Sequence, residues 1–241
     1  MPVLVRRWYR VLGTAVLCLL ATRSLSAQST ISDNSFLIEE AYNQESGVVQ
    51  HISTFSRPDG GGAWDYAFTQ EWPLGGMIHQ LSYTLPVVNP EGGTGTGIGD
   101  IALNYRYQLV ARESADGATA VHVAPRATLL LPTGSESEGR GTGELGVQAN
   151  LPVSWVVSPK VVTHYNAGVT VVGSAADFNL GASAVYRLRR SVNLLLEALW
   201  LDPDGFYLND YVAAGEKVNV KLRDTSAAQR IVMTTVRITP I

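Results

Sequence analysis

Residues 101–110, Ile-Ala-Leu-Asn-Tyr-Arg-Tyr-Gln-Leu-Val, read with a period of two. Ile101, Leu103, Tyr105, Tyr107 and Leu109 fall on one side, and Asn104, Arg106 and Gln108 on the other. A β-strand turns successive side chains to opposite faces, so this is a strand with one apolar and one polar face.

The same rhythm continues on either side. In residues 121–131, Val121, Val123, Ala127, Leu129 and Leu131 oppose His122, Arg126 and Thr128. Residues 144–153 set Leu145, Val147, Ala149 and Leu151 against Glu144, Gln148 and Asn150. Residues 161–171, 179–188 and 192–200 repeat it, with His164, Asn166, Arg187 and Glu197 on the polar side. Weaker versions occupy residues 48–55, 64–72, 78–87 and 230–238. Ten such segments of about eight to thirteen residues suit tilted membrane strands. The mature chain has no apolar run near ~18 residues, which excludes a helical span.

The connections separate a membrane barrel from a soluble sandwich. They run short (73–76), long (89–97), medium (111–118), long (133–141), short (156–160), medium (173–177), short (189–191) and long (202–228). With a periplasmic N-terminus, each outward link is longer than or similar to its periplasmic neighbours, the asymmetry of outer-membrane barrels. Trp72, Tyr107, Trp155, Tyr165 and Tyr186 fall on the apolar face near the periplasmic strand ends, as an interfacial aromatic girdle would.

Residues 1–27 carry the marks of an export signal. Arg6, Arg7 and Arg10 precede an apolar run over residues 11–20, and Ser24-Leu25-Ser26-Ala27 offers a cleavage site after Ala27. Removing that segment leaves fourteen basic residues against twenty-one acidic ones. Such an acidic chain is a poor partner for nucleic acid. The single cysteine, Cys18, leaves with the signal, so disulfides, a thiol nucleophile and cysteine-ligated metals are excluded from the mature protein. Residues 28–47 form an N-terminal segment in which Ser32, Asp33 or Ser35 could cap a short helix.

The expected fold is therefore all-β: an antiparallel up-and-down transmembrane β-barrel of about 10–12 strands over residues 48–241, preceded by that short helix. Residues 36–45, Phe-Leu-Ile-Glu-Glu-Ala-Tyr-Asn-Gln-Glu, followed by Gly47-Val48-Val49-Gln50-His51-Ile52, resemble the start of a bacterial family of outer-membrane proteins labelled for the MetA pathway of phenol degradation. Gly97-Ile98-Gly99-Asp100-Ile101, Tyr105-Arg106-Tyr107 and Leu129-Leu130-Leu131-Pro132-Thr133-Gly134 are similar to its internal blocks. The resemblance covers roughly residues 36–200 and implies a barrel that takes up small, aromatic or hydrophobic compounds. One departure is the ending. Thr239-Pro240-Ile241 lacks the closing strand with a terminal aromatic residue, so a twelve-stranded parent missing one hairpin would present the same ten segments.

Few constellations suggest chemistry. Gly141-x-Gly143-x-x-Gly146 opens a strand, where dinucleotide binding needs it to open a helix. His51, His79, His122 and His164 lack zinc spacing and read as lumen residues, and Asp202-Pro203-Asp204-Gly205 with Asn209 and Asp210 reads as an acidic turn. Neither a cofactor nor a metal is expected. Ser183 or Ser154 with His164 could form a hydrolytic pair at the lipid boundary, without a nucleophile-elbow motif to support it.

Arg106, Arg126, Glu144, Arg187 and Glu197, with His122 and His164, are the candidate selectivity residues, because charge on the polar face must avoid lipid. They either pair and fill a narrow barrel or line a polar constriction. The leading function is a non-enzymatic outer-membrane channel for small solutes, with outer-membrane lipid and the barrel-assembly machinery as its other partners. A closed structural or surface-binding barrel is the alternative, and a membrane-embedded hydrolase a lesser one.

Overall fold

The structure, a computed structural model, describes residues 37–58, 61–92, 95–189 and 192–202, and backbone strands over 205–214, 218–224 and 229–238. The signal segment and the Ser32–Ser35 stretch lie outside the described residues.

The chain is almost entirely antiparallel β-sheet. In order come β1 (Val49–Pro58), β2 (Trp64–Leu74), β3 (His79–Asn89), β4 (Gly97–Ile98), β5 (Ile101–Tyr107), β6 (Val110–Glu113), β7 (Ala120–Val123) and β8 (Arg126–Leu131). Then follow β9 (Gly146–Asn150), β10 (Val153–Ser158), β11 (Val161–Val172), β12 (Ala175–Arg189), β13 (Val192–Leu201), β14 (Gly205–Ala214), β15 (Val218–Asp224) and β16 (Gln229–Ile238).

Twelve of these make the circuit β1-β2-β3-β5-β8-β9-β11-β12-β13-β14-β15, with β16 paired to β1 from Val49↔Ile238 to Pro58↔Gln229. β15 lies beside β16, which brings the sheet round on itself. Closing a sheet removes the unpaired backbone groups that an edge strand would present.

The remaining segments are continuations. β6, β7 and β10 prolong β5, β8 and β9, and the breaks fall side by side at Gln108-Leu109, Ala124-Pro125 and Leu151-Pro152. Proline has no amide hydrogen to give a ladder. The neighbours bridge the gap: Tyr107 N–H bonds Pro125 C=O at 3.0 Å, Leu109 N–H bonds Val123 C=O at 2.9 Å, and Ala124 N–H bonds Pro152 C=O at 3.1 Å. β7 and β10 keep the register of β8 and β9, so those strands hold their faces across the break, whereas β6 is offset from β5 by one residue, with Leu109 and Val110 both set against Val123.

Several expectations need correcting. Residues 37–48 hold no helix; they are bends and extended chain, because their backbone groups bond side chains of the barrel rather than one another. The only helical turn among the described residues is a single 3-10 turn, Glu136–Glu138. The stretch 202–228, read as one long loop, contains β14 and β15, which brings the ring to twelve strands, with β16 closing it on β1. The loop-length rhythm is also weaker than expected. β11 and β12 are joined by Gly173-Ser174 alone, so the long connections on that end are 90–100, which contains β4, and 132–145.

The two faces differ as the alternation demands. Leu103, Leu129, Val147, Leu180 and Leu196 stand exposed on the outside, Leu180 at 55% and Leu196 at 50%. Asn104, Arg106, Thr128, Asn150, Ser154, His164, Ser183 and Glu197 point inward and are buried. The inside is not wholly polar. Near the short-turn end Ala120, Val156, Val162, Val185 and Leu195 fall in one register row and form a buried apolar cluster.

An exposed apolar belt of this kind gives a direct expectation. Leu129→Arg should destabilise the folded barrel by ~2–4 kcal/mol in urea titrations from phosphatidylcholine vesicles, while Leu129→Phe should change little.

Candidate functional site

The inner wall holds a strap. Residues 37–44 run as bends and extended chain across the inside of the barrel, and most of their amides donate to side chains of the wall. Leu37 N–H reaches the Glu197 carboxylate on β13 at 3.3 Å, and Glu39 N–H reaches Asn166 Oδ1 on β11 at 2.7 Å. Ala41 N–H donates to Ser154 Oγ on β10 at 2.8 Å. Asn43 N–H donates to Gln108 Oε1 at 3.1 Å, and Gln44 N–H to Gln80 Oε1 on β3 at 2.7 Å.

The strap carbonyls are met in the same way. Asn166 Nδ2 donates to Glu39 C=O at 2.7 Å, Gln108 Nε2 to Ala41 C=O at 3.0 Å, and Arg106 Nη1 to Tyr42 C=O at 2.9 Å. Asn43 Nδ2 also holds Met77 C=O and Ile78 C=O in the β2–β3 turn, each at 3.0 Å. A buried backbone without partners would cost ~1–3 kcal/mol per group, so the wall side chains are what allow an extended segment to lie here.

Shape seats the strap as well. Ile38 is buried over Gly181 of β12, where any β-carbon would collide with Ile38 Cδ1. Tyr42 sets its ring edge-on to His122 at 4.7 Å and to His164 at 6.2 Å between centroids.

At its centre lies a charge cluster. Arg106 on β5 and Arg126 on β8 stand directly opposite each other in register. Like charges in that position repel. Glu39 of the strap resolves the conflict: it pairs with Arg106 through one oxygen and with Arg126 Nε through the other at 3.0 Å. Asn150 Nδ2 adds a third bond to the same carboxylate at 2.8 Å. Asn104 Oδ1 and Gln148 Oε1 accept from the Arg126 guanidinium at 3.1 and 2.7 Å, which fixes its plane.

Of the seven charge and histidine candidates, the structure gathers five around the strap: Arg106, Arg126, Glu197, His122 and His164. Glu144 stands exposed in the 132–145 loop beside Gly173, away from the cluster. Arg187 sits near the end of β12, its N–H on Lys160 C=O at 2.8 Å, at the short-turn mouth. Tyr107, Trp155, Tyr165 and Tyr186 stand exposed on the outer face, and Trp72 lies beside them against Tyr83, 5.9 Å between rings.

The four histidines divide between the two faces. His164 and His122 face inward, but His51 packs on Phe68 and His79 bonds Tyr105 Oη at 2.7 Å, both on the outer face. The Ser154–His164 pair exists, with Ser154 Oγ and His164 Nδ1 2.7 Å apart. It faces the lumen and not the lipid boundary, both residues are 0% exposed, and the hydroxyl already holds Ala41. Ser183 lies opposite His164 in register and is also buried. The arrangement anchors the strap and offers no accessible nucleophile. Among the described residues, no three His, Cys, Asp or Glu side chains converge to hold a metal ion.

Sequence reasoning missed Gln108, Gln80, Asn166 and Asn150. Gln108, Asn166 and Asn150 were visible on the polar face, but nothing in the spacing showed that a segment some 36 to 127 residues away would bond to any of the four.

At the long-loop end a second clamp shapes the mouth. Asp100 accepts from Gly134 N–H at 2.9 Å, Thr142 N–H at 2.7 Å and Thr142 Oγ1 at 2.8 Å. Thr133 Oγ1 donates to Gly99 C=O at 2.8 Å. Gly99-Asp100 and Thr133-Gly134, far apart in the chain, thus fold against each other. Arg140 pairs with Glu138 and reaches Gly95 C=O at 3.2 Å. Burial would raise the Asp100 carboxyl, but the Thr142 and Gly134 hydrogen bonds outweigh it and hold it below its ordinary 3.8.

No protein-family model matches the sequence, and no curated protein does. Solved structures do. The KdgM porin in complex with disordered oligogalacturonate aligns at a TM-score of 0.50 and 6% identity, over 79% of this chain and 97% of that one. A second structure of the KdgM porin aligns at 0.50 and 8% identity, over 78% and 97%. The likeness is one of fold: this chain shares the antiparallel β-barrel architecture of those structures.

The strap and the clamp each carry a test. Gln108→Leu strands the Asn43 amide and the Ala41 carbonyl, at ~1–3 kcal/mol each, so chymotrypsin should cut at Tyr42 faster while the barrel stays protease-resistant. The Asp100 clamp is worth most above the carboxyl's unfolded pKa and is lost as pH falls through the lower folded value. The Thr142 amide resonance should therefore titrate below pH 3.8 in NMR spectra, and stay flat in Asp100→Asn.

Proposed function

We propose that this chain is an outer-membrane channel for small solutes, with its path narrowed by the strap of residues 37–44. The observation that carries the reading is the inward convergence of Arg106, Arg126, Asn150, Asn166, Gln108 and Gln80 on that strap, inside a barrel whose outer face is exposed and apolar. Lumen charges arranged at a narrowing select solutes by sign and hydrogen bonding. The exposed belt and the aromatic residues near the short turns fit a bilayer with its interface at their level. The resemblance of residues 36–45 to the phenol-degradation family makes small aromatic compounds the first solutes to try.

A closed barrel is the second reading, favoured by one observation. The buried row Ala120, Val156, Val162, Val185 and Leu195 sits inside the short-turn end, where water would otherwise enter. Planar-bilayer recording separates the two. Refolded protein in a phosphatidylcholine membrane in potassium chloride should give discrete conductance steps, and liposomes carrying it should pass benzyl alcohol and benzoate. Silent membranes together with impermeable liposomes would establish the closed barrel instead.

A further inference from the structure

We propose that Arg106, Arg126 and Asn150 form a binding site for the carboxylate of an anionic solute, and that Glu39 occupies it as an internal stand-in. The proposal rests on the channel reading and names the class of solute that the channel takes.

The physical case begins with the register. Two arginines directly opposite on neighbouring strands form an arrangement that demands an anion between them. Among the described residues, the carboxylate in ion-pair contact with both is Glu39, which belongs to the strap and not to a barrel strand. Glu71 of β2 also acts electrostatically on Arg106 from the wall, but the carboxylate in ion-pair contact with both arginines comes from a separate segment.

The donor set is that of a carboxylate receptor. One oxygen accepts from Arg106, and the other accepts from Asn150 Nδ2 at 2.8 Å and lies in ion-pair contact with Arg126 Nε at 3.0 Å. Planar guanidinium groups recognise the planar, two-oxygen carboxylate with directional, charge-assisted bonds. Asn104 and Gln148 orient Arg126 from the wall, at 3.1 and 2.7 Å, so half of the receptor stays organised when the strap leaves.

The strap is held in a way that permits exchange. Beyond Glu39, Arg106 on Tyr42 C=O and Glu197 on Leu37, its main-chain contacts at Asn166, Ser154, Gln108 and Gln80 are neutral side-chain hydrogen bonds and not a strand ladder. An entering carboxylate would replace the Glu39 carboxylate oxygen for oxygen, and no bond other than hydrogen bonds would change. A tethered competitor lowers apparent affinity by the fraction of time it leaves the site open.

Calorimetric titration of the refolded protein in detergent micelles tests this without requiring a pore. Benzoate is the probe, and benzyl alcohol, of similar size without the charge, is its control. Glu39→Gln should bind benzoate about tenfold more tightly than the wild type, with benzyl alcohol unchanged, and Arg106→Gln/Arg126→Gln should lose benzoate. Heat-modifiable gel migration checks that each variant is folded.

A measurement on the unaltered protein covers the case in which Glu39→Gln does not fold. Benzoate, and not benzyl alcohol, should speed cleavage after Glu39 or Glu40 by a glutamate-specific protease, because it frees the strap. Equal benzoate affinity in wild type and Glu39→Gln, or a cleavage rate indifferent to benzoate, would overturn the proposal. Conductance without either effect would leave the channel standing and remove this site. Benzoate binding with silent bilayers would do the reverse.

Discussion

In hydrocarbon a backbone amide has no water to turn to, and that constraint organises this molecule from the outside in. The sheet must come round on itself, which is why β16 pairs with β1 along its whole length. Where proline interrupts the ladder at Pro125 and Pro152, neighbouring amides bridge across. The same demand reaches the strap, whose extended backbone has no strand beside it. Asn166, Ser154, Gln108 and Gln80 take that role with side-chain oxygens, and Gln108 serves an amide and a carbonyl together.

Charge is the second constraint, and it follows from the first. A closed ring whose outside is apolar leaves charged side chains only the inside. Arg106 and Arg126 then meet across a single strand pair, and Glu39 between them makes the cluster tolerable. Three groups from three distant parts of the chain thus depend on one another. A buried charge left without its partner costs far more than the pair contributes.

Most of the architecture was legible in the sequence because alternation is a local property. Leu103 and Asn104 declare opposite faces from five residues of context, and the same holds for Leu196 and Glu197. What escaped was long-range or locally ambiguous. Residues 205–214 and 218–224 carry Asp, Asn, Gly and Lys in numbers that suit turns, and β-propensity yields to pairing with a neighbour. The Phe36–Tyr42 stretch has the composition of a helix, and the extended form of residues 37–42 is imposed by barrel side chains that no local window contains. His51 and His79 fall on the outer face because each follows or precedes an inward glutamine, Gln50 and Gln80, and the aromatic rings of Phe68 and Tyr105 receive them there. Alternation likewise made Arg106 and Arg126 recognisable as inward charges, while their direct opposition and their shared partner were not.

The strap also bears on the order in which the molecule can form. Hairpins such as β11–β12 join residues a few positions apart and can pair as soon as both arms exist. The bond from Leu37 to Glu197 spans 160 residues, and that from Glu39 to Asn166 spans 127. Contacts of such separation contribute nothing until the intervening chain is already ordered, since the closure entropy comes before the reward. The N-terminal segment must therefore stay uncommitted while the wall that will receive it is built. The first described residues of the chain are among the last to find their partners.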